Sequence, residues 1–423
     1  MLPDCESCKG SGGLTYMAVS CSLRPMRMTC LAALALSAAA SPLYAATHEV
    51  AAGDGAQTRL QEALILAEPG DEIVLGAGRF ALDDGLSLDV DRVTVRGSGM
   101  DTTVLDFTAQ KGAGEGLLVT SDGVTLRDFA IENPKGDGIK SKGADDIVYH
   151  RVRVTWTGGP LSTNGAYGIY PVECTNVLID GVQVSGASDA GIYVGQSRRI
   201  TVRNSLAEAN VAGIEIENSR DALVEANLVT RNTGGILVFD LPSLPVMGGG
   251  NVLVRDNLVV DNDTPNFAPP GNIVAGVRRG TGVMVMANDA VTVEHNTITG
   301  NPTSGIMVVA YPLAFEDARY NPYPRKVAIG PNRASGNGTQ PQIGGGEQLV
   351  AMFGGALPAV MWDGLGEGAI TVDPALAGWT LALTKQGQGP DDARPAPARF
   401  AAYADAVDRA TAGAPAELDA RLK

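Results

Sequence analysis

Tyrosine and carboxylate side chains recur on a repeated glycine-led tetrad of the sequence. If the tetrads "GIYP", "GIYV", "GIEI" and "GILV" form strands, their third residues point outward, because strand side chains alternate. The outward positions and strand ends hold Tyr170, Glu173, Tyr193, Gln196, Glu215, Glu217, Asn218 and Asp240. Aromatic rings cover the apolar faces of sugars, and carboxylates and amides meet sugar hydroxyls. These residues are therefore predicted to bind a sugar, with ordinary strand surface as the alternative.

A charged segment precedes these tetrads. The stretch "GDGIKSKGADD" gathers Asp137, Lys140, Lys142, Asp145 and Asp146. Such residues could neutralise a uronate and abstract its proton, as polysaccharide lyases do, often with calcium. Asp137 and Lys140 are therefore candidate catalytic residues, and calcium is a candidate ion. A solvated polar turn is the alternative.

His150 is the third catalytic candidate. It is one of only three histidines, and Arg151 and Arg153 give it a cationic setting that suits a base. The alternative is a structural pair with Asp180, one repeat unit further along the chain.

The repeat that would position these residues has a period of about 22. Glycine-led apolar steps open at Gly116, Gly138, Gly168, Gly191, Gly213, Gly235, Gly282 and Gly305. A unit of this length with three short strands fits one coil of a single-stranded right-handed parallel β-helix. An aromatic content of 5 % and 53 glycines also favour an all-β fold. The inward tetrad positions are Ile192, Val194, Ile214, Ile216, Ile236, Val238, Val283, Val285, Ile306 and Val308.

Two further columns are predicted to be structural. Asparagines repeat at two turn positions, where they tolerate left-handed conformations and hydrogen-bond their neighbours. They are Asn210, Asn232, Asn262 and Asn301 at one turn, and Asn227, Asn257 and Asn296 at the other. Charged residues align outward on the second strand of each unit, and their signs alternate from Asp180 onward. This charge column is Arg96, Arg127, His150, Asp180, Arg203, Glu225, Arg255 and Glu294.

An apolar strip follows the tyrosines along the outward tetrad positions. It consists of Leu237, Phe239, Met284, Met286, Met307 and Val309. A strip of this size exceeds what a monomer usually exposes. We expect an insertion after Asp240 or Asp263, or the region after Tyr311, to cover it; otherwise it would dock a partner protein. Its methionines, with Met247, could bind Cu(I), but no His or Cys lies beside them, so packing is favoured and no metal site is predicted.

The sequence divides into four segments. In residues 1–45 we expect a start codon assigned too early, with Met26 or Met28 as the true start, followed by a secretory signal peptide. Residues 46–90 should form an N-terminal cap and first coil, because "TRLQEALILAEPGDEIVLGAGRF" is typical of a short amphipathic helix, a turn and a strand. Residues 91–310 hold the coils. Residues 311–423 lose the period and end in the helix-like "ARFAAYADAVDRA", which predicts an irregular region and a C-terminal cap.

The signal peptide predicts where the protein acts. Arg24 and Arg27 precede an apolar stretch from Leu31 to Ala40, and small residues follow at Ala45, the expected cleavage point. The mature chain is therefore expected to be periplasmic or secreted, with no transmembrane segment. The formal charge of the whole chain, −15, argues against nucleic acid as a partner.

Through its N-terminal cap, the segment "VTVRGSGMDTTVLDF" and the tetrad and asparagine coils, the chain resembles the pectate-lyase-like superfamily over residues 50–310. It is most similar to bacterial right-handed parallel β-helix repeat proteins, and more distantly to NosD-type carbohydrate-binding and sugar-hydrolase repeats. The resemblance implies an exported protein that binds a polysaccharide or oligosaccharide and modifies it as a lyase, hydrolase or epimerase. A non-catalytic periplasmic accessory protein, metal-linked as in the NosD type, is the alternative. Neither the Gly-His-Gly turn of polygalacturonase-like hydrolases nor the Asp-Pro-His-Asp motif of alginate epimerases is present.

Overall fold

The chain folds into a stack of three-stranded coils. The computed structural model describes residues 45–423 apart from 113, 367 and 369, so the predicted start and signal peptide before Ala45 lie outside the described residues. Equivalent strands of successive coils pair in parallel, with Ile192 opposite Ile214 and Ile214 opposite Ile236. These pairings confirm the all-β, parallel β-helix that the glycine period predicted.

The strands lie in two sheets. The tetrads supply one strand per coil to a twelve-stranded sheet. Its strands are Leu86–Leu88, Leu117–Val119, Ile139–Lys142, Tyr167–Val172, Ala190–Gly195, Ala212–Glu217, Gly234–Phe239, Thr281–Met286, Ser304–Val309, Val360–Trp362, Gly378–Thr380 and Ala396–Ala398. The remaining strands join a second sheet of twenty-one strands, the long sheet. They are Thr47–Val50, Glu72–Leu75, Gly78–Ala81, Thr94–Arg96, Thr103–Asp106, Thr125–Glu132, Ile147–Thr155, Thr175–Asp180, Gln183–Ser185, Arg198–Arg203, Leu206–Glu208, Arg220–Glu225, Leu228–Thr230, Gly250–Arg255, Leu258–Val260, Asp289–Glu294, Thr297–Thr299, Arg325–Ile329, Arg333–Ser335, Ile370–Val372 and Ala401–Ala402.

Inward side chains and buried asparagines hold the coils together. All ten predicted inward tetrad residues are completely buried. At one turn the Asn210 backbone N–H and side-chain amide both donate to Asn232 Oδ1, at 3.0 and 3.1 Å, and Asn232 does the same to Asn262. Asn227 and Asn257 begin a second ladder of the same kind. The prediction that these asparagines are structural is confirmed, since each buried amide satisfies the polar groups of the next coil.

The N-terminal end is capped as predicted. The helix Ala56–Leu66 buries Leu60 and Leu64 against the open end of the core, and the strand Glu72–Leu75 follows it. The other helices are the α-helix Gly346–Met352 and the 3-10 helices Ile273–Gly276, Pro390–Asp392 and Ala416–Leu422. No helix among the described residues has the length and apolar character needed to cross a membrane.

The coils continue past residue 310. Arg325–Ile329 pairs in parallel with Asp289–Glu294, and Val360–Trp362 pairs with Ser304–Val309. The predicted boundary at 310 is therefore wrong, because long insertions hide the sequence period while the parallel pairing persists. The helix expected in "ARFAAYADAVDRA" is also wrong: its strand Ala401–Ala402 pairs with Ile370–Val372, and this tertiary pairing outweighs a weak local helix preference.

The charge column has the register that the sequence predicted. His150 lies opposite Asp180, and Asp180 lies opposite Arg203. Arg203 Nε is 2.5 Å from Asp180 Oδ2, and Arg255 Nη2 is 2.7 Å from Glu225 Oε2. Opposite charges from successive coils therefore neutralise one another along the outside of the long sheet.

The C-terminal residues run back over this column. Arg409 Nη1 lies 2.7 Å from Glu294 Oε1, and Asp419 Oδ1 lies 2.6 Å from Arg203 Nη2. Leu418 packs on Val148, so the tail is fixed by apolar contact as well as by charge.

The apolar strip is covered by the chain itself. Leu237, Phe239 and Met284 are 0, 1 and 7 % exposed. Val274 and Val277, from the insertion of residues 261–280, belong to the same buried apolar cluster. The expected covering by an insertion is confirmed, and the strip is not the exposed face for a partner protein that was the alternative.

Candidate functional site

Three tyrosine rings pack on the outer face of the twelve-stranded sheet. The ring centroid of Tyr167 lies 4.5 Å from those of Tyr170 and Tyr193, and the latter two are 4.9 Å apart. The strand position of Tyr167 is taken by Ala190 in the next coil and Ala212 in the one after, which leaves room for the rings. Tyr167 and Tyr170 are half-buried and Tyr193 is buried, so this tyrosine cluster has one open side.

Three carboxyl groups lie next to the tyrosine cluster. Glu215 is directly opposite Tyr193 in the sheet, and Glu217 follows on the same strand face. Asp189 comes from the turn before the Tyr193 strand. Exposed fractions of 6, 2 and 7 % for Asp189, Glu215 and Glu217 show that all three are buried. We call these three residues the acidic cluster.

Hydrogen bonds fix two members of the acidic cluster. The Tyr193 hydroxyl donates to Glu217 Oε1 at 2.8 Å. The Asn272 amide, from the insertion of residues 261–280, donates to Asp189 Oδ2 at 3.2 Å. Glu215 Oε2 is buried and has no hydrogen-bond partner within the described part of the chain. One carboxyl oxygen therefore remains unused by the fold.

Burial without a counter-charge favours the protonated forms. No salt bridge among the described residues involves the acidic cluster. Burial raises the pKa of Asp189 to about 7, and the neighbouring Glu217 adds to the shift. Burial also raises the pKa values of Glu215 and Glu217, which lie close enough to share a proton. At neutral pH the cluster therefore holds protons that ordinary carboxylates would have lost.

The candidates Asp137 and Lys140 lie at the open side of the tyrosines. Lys140 Nζ is 5.0 Å from the Tyr170 ring centroid, 3.1 Å from Glu115 Oε1 and 4.0 Å from Asp137 Oδ2. Burial raises the pKa of Asp137 to about 6, although Lys140 opposes the shift. The fold thus brings Asp137 and Lys140 to the same face as the acidic cluster, with the lysine already engaged by two carboxylates.

Two strand-end residues that were predicted to bind sugar form hydrogen bonds with a loop. Asp240 Oδ1 accepts from the Gly248 and Gly249 backbone N–H groups at 3.0 and 3.1 Å, and Gln196 Oε1 accepts from Val246 N–H at 3.3 Å. Both side chains hold the insertion that follows Phe239, and sugar binding by them stays a prediction.

Two other strand-end residues also stand apart from the acidic cluster. Asn218 bonds the Leu241 backbone in both directions, so it anchors the same insertion. Glu173 is exposed, with a left-handed φ of 57°. Among the predicted binding residues, Tyr170, Tyr193, Glu215 and Glu217 are the ones that the fold gathers.

His150 lies on the other sheet. It is 7 % exposed, its Nδ1 is 3.4 Å from Asp180 Oδ1, and burial lowers its pKa. The fold therefore does not bring this candidate to the acidic cluster. Within residues 45–423 as described, no group of three or more His, Cys, Asp or Glu is arranged to hold a metal ion.

Three residues of the site escaped the sequence reasoning. Tyr167 lies one residue before Gly168, and Asp189 lies two residues before Gly191, so both fall outside the tetrads whose outward positions were considered. Their spacing of 22 residues gave no signal, because the coil here is 23 residues long and the equivalent of Tyr167 in the next coil is Ala190. Asn272 comes from an insertion without periodicity, and no sequence pattern could have placed it over Asp189.

The acidic cluster and the tyrosine cluster together contain the groups that general acid–base catalysis on a sugar requires. A carboxyl group that keeps its proton near neutral pH can protonate a leaving oxygen, and a neighbouring carboxylate can activate water. Stacked rings beside these groups offer a surface for a sugar ring.

A family model and one solved structure, the epimerase module described next, support the architecture. The family model described as "Right handed beta helix region" matches residues 92–243 and again 160–313. The A-module of mannuronan C-5 epimerase AlgE4 from Azotobacter vinelandii is 18 % identical over 76 % of this chain and 90 % of that one, with a TM-score of 0.56. DFA-IIIase from Arthrobacter chlorophenolicus A6 is 14 % identical over 81 % and 99 %, with a TM-score of 0.47. Alginate lyase from Paenibacillus sp. str. FPU-7 is 17 % identical over 70 % and 95 %, with a TM-score of 0.34. Curated protein sequences give no significant match.

Proposed function

The chain belongs to the right-handed β-helix family, and we propose that it binds a polysaccharide on its twelve-stranded sheet and cleaves it by carboxyl acid–base catalysis. The observation that carries this proposal is the acidic cluster, in which buried carboxyls without a counter-charge adjoin three packed tyrosines. Burying such groups costs stability, so a fold that keeps them suggests a use for them.

In the proposed reaction, a sugar ring stacks on Tyr167 and Tyr170 at the open side of the cluster. The Glu215–Glu217 pair donates its shared proton to the glycosidic oxygen as the bond to the anomeric carbon breaks. Asp189, as carboxylate, takes a proton from the water that adds to that carbon. The Tyr193 hydroxyl steadies Glu217 and so directs the shared proton.

The charge of the site favours a neutral glycan over a polyuronate as substrate. Glu115 and Asp137 lie beside the cation Lys140, and the acidic cluster lies on the same face of the molecule. A uronate would meet net negative charge here, so a neutral glycan fits better. A lyase mechanism is less favoured, because Lys140 is engaged with two carboxylates and its base function would first require their release.

We further propose that the protein acts outside the cytoplasm, on the strength of the signal-like segment from Arg24 to Ala45. We also propose that calcium supports the reaction, which adding and chelating calcium tests.

The test is a depolymerisation screen of the purified protein on neutral glucans and on polyuronates, with calcium or with a chelator, read as new reducing ends. We expect new ends from a neutral glycan, and loss of that activity in Glu217→Gln. Glu208→Gln, on the long sheet, is the matched control and should keep it. Glycan binding and cleavage that survive Glu217→Gln and Asp189→Asn would refute the proposal.

A further inference from the structure

An apolar cavity of about 310 Å³ lies over the covered strip. Phe239, Met284 and Met286 form its floor on the twelve-stranded sheet, and Leu381 and Leu383 line it from later coils. The acidic cluster contributes none of its lining. The cavity is therefore a second feature of this sheet, with a chemistry unlike that of the carboxylates.

Two polar side chains in its lining, those of Asp363 and Gln388, are already engaged. Asp363 accepts from the Ala310 and Leu365 backbone N–H groups at 2.6 and 2.9 Å. Gln388 Oε1 accepts from the backbone N–H groups of Thr384 and Lys385. Water inside the cavity would find few hydrogen-bond partners, which favours an apolar occupant.

The mouth of the cavity combines exposed apolar residues with a cation. Ile273 and Leu313 line the cavity and remain 38 and 53 % exposed. Arg278 also lines it, is exposed, and makes no salt bridge with any described residue. An apolar interior with a guanidinium at its entrance is complementary to a single chain that ends in an anion.

We propose that this cavity binds the apolar chain of an anionic single-chain amphiphile, such as a medium-chain fatty acid, whose head group pairs with Arg278. The volume is at the lower end of the range for small-molecule sites, which suits one chain and excludes a two-chain lipid. Flexible methionines adapt to chains of slightly different length. This site is independent of the carboxylate chemistry proposed above.

Calorimetric titration with decanoate, below its micellar concentration, tests the proposal. We expect saturable binding to one site, and loss of that binding when Val309→Trp fills the cavity. Val260→Trp, on an outward strand position of the long sheet, is the matched control and should leave binding intact. Decanoate binding that is absent, or unchanged in Val309→Trp, overturns the proposal.

If Val309→Trp fails to fold, substitutions at the mouth of the cavity still test the proposal. Leu313→Glu lies on the surface and should weaken decanoate binding about tenfold, because it places a carboxylate beside the head group. Leu258→Glu, 48 % exposed on the long sheet, is its control. Octyl glucoside, which has a neutral head, should bind more weakly than decanoate and be insensitive to Arg278→Ala. Equal binding of the two probes, with decanoate indifferent to Arg278→Ala, would refute the anionic head group.

Discussion

The two outer faces of this β-helix treat carboxylates in opposite ways. On the long sheet, Glu294 is held by Arg409, and this hydrogen-bonded pairing lowers its pKa. Glu72 is held in the same way by Arg96. On the twelve-stranded sheet, Asp189 and Glu217 have no such cation, and burial raises their pKa values.

The paired carboxylates of the long sheet stabilise the fold, whereas the unpaired carboxyls of the twelve-stranded sheet are better explained by a function. Both faces use the same coils and the same strand spacing, so the backbone does not impose the contrast. A charge column with alternating signs fixes the register of the coils. Carboxyls without counter-charges do nothing for the register and cost stability, which is typical of functional sites.

The sharpest way to test this contrast is to neutralise one carboxyl on each face. Glu217→Gln should lower glycan cleavage about a thousandfold, because it removes part of the proton donor, and should leave the melting temperature unchanged or higher. Glu225→Gln, in the charge column, should leave cleavage unchanged and lower the melting temperature. The contrast would be broken if the two variants lost activity to the same extent.

The pH dependence of stability should also differ between the faces. The folded-state pKa of Asp189 is raised to about 7, so its stabilising contribution is present at acidic pH and is lost as the pH rises through about 7. The free energy of unfolding should therefore fall, by an amount on the order of a few kcal/mol, between about pH 4 and pH 8. Chemical denaturation of Asp189→Asn across this range should show a smaller fall.

Glu294 provides the opposite control. Its pKa is lowered in the folded state, so its contribution is present at neutral pH and is lost as the pH falls through the folded-state pKa. Glu294→Gln should destabilise the protein at pH 7 and matter little in strong acid. An Asp189→Asn profile that follows the Glu294→Gln profile would contradict the assignment.

A tyrosine that donates to a carboxylate is present on each face. Tyr193→Phe removes the donor to Glu217 and should lower the cleavage rate about tenfold and move the pH profile upward, since the carboxylate loses a stabilising hydrogen bond. Tyr403→Phe removes the equivalent donor to Glu294 on the long sheet. That variant should keep the parent pH profile, and a shift in both profiles would count against a functional role for Tyr193.

The smallest expected effect concerns the charge column. Arg203→Glu places a carboxylate between Asp180 and Glu225, and should lower the free energy of unfolding by about 1 to 2 kcal/mol at low salt and by less at high salt. Arg333→Glu, exposed and outside the column, should have little effect. Equal melting temperatures of Arg203→Glu and the parent at low ionic strength would argue against the column.

The repeat made the coils predictable from sequence. Each glycine-led tetrad, each asparagine and each charge in the column recurs at the coil period, so one correct alignment places them all. Tyr193, Glu215 and Glu217 could be found in this way because they occupy outward tetrad positions.

The predictions that failed concern segments of the chain that lack the 22-residue repeat. Nothing in the sequence indicated that Asp240 would hold a loop, or that Asn272 would reach Asp189, since insertions are positioned by tertiary contacts. The late coils were missed for the same reason, because Arg325–Ile329 and Val360–Trp362 are separated by long insertions. Burial raises the pKa values of the carboxyls at the site. The burial of a strand residue depends on the segments that cover the strand, which the strand's own sequence does not reveal.

The acidic cluster is expected to retain a proton at neutral pH. Carbon-detected NMR titration of the side-chain carboxyls, with Asp189→Asn, Glu215→Gln and Glu217→Gln to assign the signals, measures this directly. At least one of the three groups should titrate above about pH 6, while Glu294 titrates below its ordinary value. Titration of all three groups below about pH 5 would contradict the account.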